Sequence, residues 1–236
     1  MACSPAPPAE PAGTAPPTTA AQPEIAISSV IAANPVIVEG RARTFENNVV
    51  IRLIDSRGEL IRETFTTSLG DIGRRNPFRA EVFVTRDPGA KLTAQALEYS
   101  ARDGSERSLA SETVDYRVAP ISVDLYFHDA QKSPTDCARV FPQRRELPRS
   151  VAMARLLVEA LIAAPGSPFP PGSAVQSVVL RDGELTVDFN ERLQSVGGSC
   201  AVQAIRASVE QTVKQLPAVE RVVITAGGSE KLALQP

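Results

Sequence analysis

The stretch "VQSVVLRDGELTVDFN", Val175 to Asn190, sets the grammar of the second half of this chain. Asp182-Gly183 is a residue pair that a type I′ hairpin turn prefers, because both positions tolerate positive φ. On the far side of the turn, Leu185, Val187 and Phe189 alternate with Thr186, Asp188 and Asn190, which predicts one buried and one wet face. Downstream, "GGSCAVQAIRASVEQTVKQLP" places Val202, Ile205, Val209, Val213 and Leu216 on one helical face. Ser199 reads as its cap, Pro217 closes it, and "VERVVITAGG" follows as a strand. Upstream, Ser150 is placed to cap a helix running to about Ala163, with Val151, Ala154, Leu157, Val158, Leu161 and Ile162 as its apolar stripe. "APGSPFPPGS" stops that helix. Before it lie a strand, "ISVDLYFHD", and a loop, "AQKSPTDCARVFPQRRELP". The predicted order over residues 119–236 is β-α-β-β-α-β, an α+β unit with two helices on one side of a small sheet.

Residues 24–118 follow a different, almost purely β pattern. In "FRAEVFV", Phe78, Ala80, Val82 and Val84 fall on one face. "VVIRLID" carries apolar residues on both parities and predicts a strand covered on both sides in places. Turn signals recur at Asn34-Pro35, Ser56-Arg57-Gly58, Asp87-Pro88-Gly89 and Asp103-Gly104. Strands are expected near 24–30, 36–44, 48–55, 59–67, 77–85, 91–101 and 106–117. Seven short strands predict an immunoglobulin-like sandwich, here without the cysteine pair or the tryptophan of antibody domains.

Residues 1–23, "MACSPAPPAEPAGTAPPTTAAQP", cannot bury enough apolar surface to fold and are expected to form a disordered Pro/Ala-rich linker. At about 3.1 Å per residue, some 20 residues in polyproline conformation reach about 60 Å. Cys3 followed by such a tether is similar to the mature start of a bacterial lipoprotein, with the cysteine as the lipid attachment site in the native precursor. Ala2 suits the position before cleavage. Such a precursor carries an apolar signal segment that this sequence lacks, so Met1 reads as an introduced start.

Composition narrows the function classes. The 236 residues carry 25 basic and 27 acidic side chains, a net charge of −2, so no global field draws the protein to nucleic acid. Trp is absent and aromatics are 5%, too few for stacking platforms. The single histidine, His128, leaves little for a triad or a histidine-based metal centre. Two cysteines and one histidine without CxxC or HxxxH spacing give no expectation of a metal, and no cofactor motif is present.

"RVFPQRRELPRSVAMARLLVEALIAAP", "PPGSAVQSVVLRDGELTVDFNERL" and "GGSCAVQAIRASVEQTVKQLPAVERVVITAGG" together resemble the GerMN domain of sporulation and germination proteins. "VEGRARTFENNVVIRLIDSRGEL" resembles the immunoglobulin-like domain that accompanies GerMN in exported germination-related proteins. The resemblance implies an extracytoplasmic, lipid-anchored envelope protein with no established catalytic activity, acting through a protein partner or through self-assembly of the GerMN domain. Binding or modification of cell-wall polymer is the alternative.

Cys200 opens the last helix, where the dipole and free N–H groups favour a thiolate. A cysteine enzyme also needs a base and oxyanion donors, and the sequence does not place His128 beside it. GerMN relatives resemble this chain at both Cys137 and Cys200, and if Cys3 carries lipid these two remain as a pair. A disulfide between them in an oxidising compartment is the expectation, with two buried reduced thiols as the alternative. Arg139, Arg144, Arg145 and Arg149 form a basic cluster around the proline-containing loop and mark a possible docking surface. A deep pocket lined by Arg144, Arg145 and Asp188 would favour the polymer reading; an apolar patch would favour protein docking.

Overall fold

A computed structural model describes residues 24–230 and 233–234; Cys3 and the rest of the first 23 residues lie outside them. The first body is a sandwich of seven strands: β1 (Ile25–Ile31), β2 (Val36–Ala42), β3 (Asn48–Ile54), β4 (Leu60–Thr67), β5 (Asn76–Val82), β6 (Lys91–Tyr99) and β7 (Glu106–Asp115). One sheet has the order β1-β2-β5 and the other β4-β3-β6-β7, with all pairings antiparallel. Val36 and Val38 from β2, Ile51 and Leu53 from β3, Phe78 from β5 and Leu92 from β6 fill the space between them. Val49 and Val50 are both buried, so β3 is covered on both faces at that point. Gly40 permits the packing: a Cβ there would sit 2.2 Å from the Ala26 carbonyl oxygen and 2.6 Å from the Phe78 ring.

Asp55 organises the β3–β4 connection. Its side chain is 1% exposed. It accepts hydrogen bonds from the backbone N–H groups of Arg57 and Glu59 and from the guanidinium groups of Arg86 and Arg57. Desolvation acts to raise its pKa, but the donors, Arg86 foremost, outweigh it and hold the carboxyl well below the usual carboxylate range. A depressed folded-state pKa contributes stability above the unfolded value, about 3.9, that is lost as pH falls towards the folded value. Asp55→Asn is therefore expected to lower the melting temperature at neutral pH and to flatten its fall below about pH 4. Thermal melts across that range check this; an unchanged acid limb would contradict it.

The second body is α+β: β8 (Pro120–His128), β9 (Val140–Pro148), α1 (Met153–Ala163), β10 (Val175–Arg181), β11 (Glu184–Phe189), α2 (Ser199–Val213) and β12 (Arg221–Ala226). The expected alternation is present with one strand more. The segment read as a loop, "VFPQRRELP", is β9, paired antiparallel to β8 from Pro120↔Pro148 to His128↔Val140. Two prolines and three charges disguise it, and both fit a strand whose outer edge is free.

The strands also divide into two sheets, β8-β9 and β10-β11-β12, in place of a single one. The reason is visible in the hydrogen bonds of α2. Thr212 Oγ1 accepts from the Tyr126 N–H, while Gln215 accepts from the Asp124 N–H and donates to its carbonyl. Side chains from the last turn of α2 and from Gln215 just beyond it thus satisfy the edge of β8 that another strand would otherwise occupy.

The Asp182-Gly183 turn has φ of 49° and 78°, and Leu185, Val187 and Phe189 are buried as the alternation predicts. Neither helix is capped by the serine expected. Ala152 precedes α1 and Gly198, with φ 88°, precedes α2; Ser199 is the first residue inside the helix. Ser150, buried two residues before the α1 N-cap, accepts the Ala152 N–H and donates from Oγ to the Asn34 carbonyl in the sandwich. Among the described residues no helix is long and apolar enough to cross a membrane.

Candidate functional site

The two bodies meet through side chains whose contact the linear pattern does not announce. Phe83 and Val84 are adjacent just after β5, yet Val84 packs in the sandwich core and Phe83 in the core of the α+β body. Asn34, 3% exposed, uses its amide fully: Nδ2 donates to the carbonyls of Val84 and Pro148, and Oδ1 accepts from the Val84 N–H. Glu159 on α1, 5% exposed, pairs with Arg62 of β4 at 2.8 Å. Arg155 lies 3.7 Å from the same carboxylate and stacks over the Phe83 ring. A carboxylate this buried stays charged at acceptable cost only when paired.

Beside this contact runs a groove of about 1040 Å³. Ala32, Pro35 and Ile37 line it from the sandwich, and Val151, Met153 and Leu180 from the α+β body. Its lining is mainly aliphatic, with Asn34, Glu81, Arg149, Ser150 and Arg155 as polar points. Val151 is 99% exposed, and Leu180 and Ile31 are also exposed. Large aliphatic side chains left in solvent around a concave apolar surface mark a place where another molecule can remove them from water.

The four arginines lie along β9 and directly beside it, each with its own surroundings. Arg139 stacks against Phe141, Arg144 pairs with Asp124 across the β8–β9 register, and Arg145 bonds Gln143 on its own strand. Arg149 alone among them lines the groove. Asp188 accepts from Thr225 Oγ1 and the Gly228 N–H. The groove includes none of Arg144, Arg145 or Asp188.

Cys137 and Cys200 are joined as a disulfide, with Cα atoms 5.1 Å apart. It ties the loop between β8 and β9 to the first turn of α2. His128, remote from both in sequence, ends β8 next to them. One of its ring nitrogens and the two sulfurs lie within 4.8 Å of one another. Strand periodicity places His128 at the end of β8 but carries no signal for this meeting, because the intervening loop and helix decide it.

Comparison with known proteins follows the same division. Residues 124–232 match the Germane family, described as "Sporulation and spore germination". Residues 24–105 match Gmad2, "Immunoglobulin-like domain of bacterial spore germination". No curated protein matches. Among solved structures, a crystal structure of a "Putative Lipoprotein from Clostridium perfringens" is 16% identical. The match covers 48% of this chain and 78% of that one, with a TM-score of 0.31.

Proposed function

We propose that this chain is a non-enzymatic extracytoplasmic envelope protein, tethered in its native precursor by lipid on Cys3, that holds a protein partner in the groove between its two bodies. The observation that carries the reading is the groove itself. A mainly aliphatic cleft with the exposed Val151 and Leu180 in its lining suits an apolar protein segment better than a polyhydroxylated or charged polymer. The two spore-germination family matches support a place among germination-related exported proteins. The groove has neither a nucleophile–base pair nor two facing carboxylates in its lining.

A photocrosslinking residue at Val151, with one at Glu112 on β7 as control, tests this in native envelopes. The expected result is a discrete adduct with a second envelope protein at position 151 and none at 112. Leu180→Asp should weaken that association roughly 30-fold, the equivalent of a 2 kcal/mol hot spot. An adduct only with another copy of the chain, together with concentration-dependent sedimentation, would replace the partner with self-assembly. No adduct, alongside retention on cell-wall polymer, would overturn the reading.

A further inference from the structure

His128, Cys137 and Cys200 have the composition of a thiophilic metal site, although nothing in their spacing announces one. The His128 Nδ1 lies 3.1 Å from the Arg139 carbonyl oxygen. A carbonyl only accepts, so Nδ1 carries an N–H, and it is Nε2 that a metal would take. Ligating histidines are commonly oriented by such a backbone acceptor on their second nitrogen. Cys200 is the second residue of α2, a helix of 15 residues, and is exposed; Cys137 is half-buried. The N-terminus of α2 favours a thiolate at Cys200.

We infer that reduction of the Cys137–Cys200 disulfide converts this corner into a zinc site, with both sulfurs and a ring nitrogen of His128 as ligands. The reductant is a dithiol. It gives two electrons and two protons to the Cys137–Cys200 bond, which breaks to two thiols, and itself closes to a disulfide. Zinc then takes the two thiolates and the neutral imidazole, and the two thiol protons pass to solvent. Zinc bonds of about 2.3 Å to sulfur and about 2.0 Å to nitrogen put tetrahedral ligand atoms about 3.5–3.8 Å apart. The sulfurs must part and the nitrogen must approach within the 4.8 Å they already share. Exposure at Cys200 leaves the fourth position to water. In the oxidised protein both sulfurs are committed to each other, so binding is gated by redox state. This site is independent of the groove and of any partner held there.

The test uses the full chain carrying Cys3→Ser, so that two thiols remain. Oxidised and phosphine-reduced samples are titrated with Zn²⁺ against a chromophoric chelator, and with Co²⁺ as a spectroscopic probe. One ion per chain is expected in the reduced protein and none in the oxidised. Cobalt should show a thiolate charge-transfer band of two-thiolate intensity. His128→Ala and the milder His128→Gln should each weaken zinc binding by at least the roughly 10–100-fold caused by losing a supporting group. Equal binding by oxidised and reduced protein overturns the inference, as does wild-type affinity in both histidine variants. A reduced protein that unfolds and is not restored by zinc overturns it as well.

Discussion

Phe83→Ala is expected to lower the free energy of unfolding by about 3–5 kcal/mol, the range for truncating a buried aromatic. It should also turn a single thermal transition into two. Phe83 is 7% exposed, and its ring leaves the sandwich to join the core that includes Leu156, Leu157 and Leu185. Arg155 loses its stacking surface in the variant, which weakens the setting of the Arg62–Glu159 pair as well. Val84, the next residue, still packs with Val36 and Val38, so the sandwich itself should melt nearly as before. Scanning calorimetry separates these outcomes. One undivided transition with wild-type midpoint would show that the contact at Phe83 does not couple the two bodies. Asn34→Ala is a companion at the same seam, because it strips the Val84 N–H and the Val84 and Pro148 carbonyls of their buried partner.

The second large effect is expected from replacing Cys137 and Cys200 together with serine. The bridge closes a separation of 63 residues, for which the chain-entropy relation gives roughly 4 kcal/mol of stabilisation. That loss originates in the α+β body. The disulfide links the β8–β9 loop to α2, and no residue of the sandwich is part of it. The core centred on Leu156, Leu161, Leu185, Phe189, Ile205 and Val209 does not include either cysteine. Denaturant titration of the double variant, followed by a probe in each body, measures the change. An unaltered α+β midpoint would show that the loop is restrained by its other contacts, such as Ser133 Oγ donating to the Asp136 carbonyl.

Much of the architecture is legible in the residues because it depends on local periodicity. The alternation of Phe78, Ala80 and Val82, the Asp-Gly turn at 182–183 and the stripe from Val202 to Val213 each report a burial pattern that their own backbone geometry enforces. The seven sandwich strands lie within a few residues of where the turn signals place them. β9 escapes detection for the same reason. A strand lying along β8 with a free outer edge has little need of apolar alternation, so Pro142, Arg144, Arg145 and Glu146 carry no burial signal to read.

Ser150 and Ser199 mislead because capping is chosen by the chain's path, and that path is set at long range. Ser150 is held by Asn34, 116 residues away, and Gly198 with its positive φ delivers the chain into α2. The basic cluster is legible as a cluster in sequence, whereas the pairing of Arg144 with Asp124 and the stacking of Arg139 on Phe141 are set by the fold.

By itself, then, the order of residues determines two bodies of different grammar, an all-β sandwich and an α+β unit, through hydrophobic period and turn chemistry. Only the tertiary structure decides what can act as a site. The groove exists because Phe83, Asn34 and Glu159 bring one body against the other, and His128 meets Cys137 and Cys200 because a hairpin and a helix end at the same corner. Periodicity records which face of an element leaves water. It cannot record which faces, far apart along the chain, come to lie side by side.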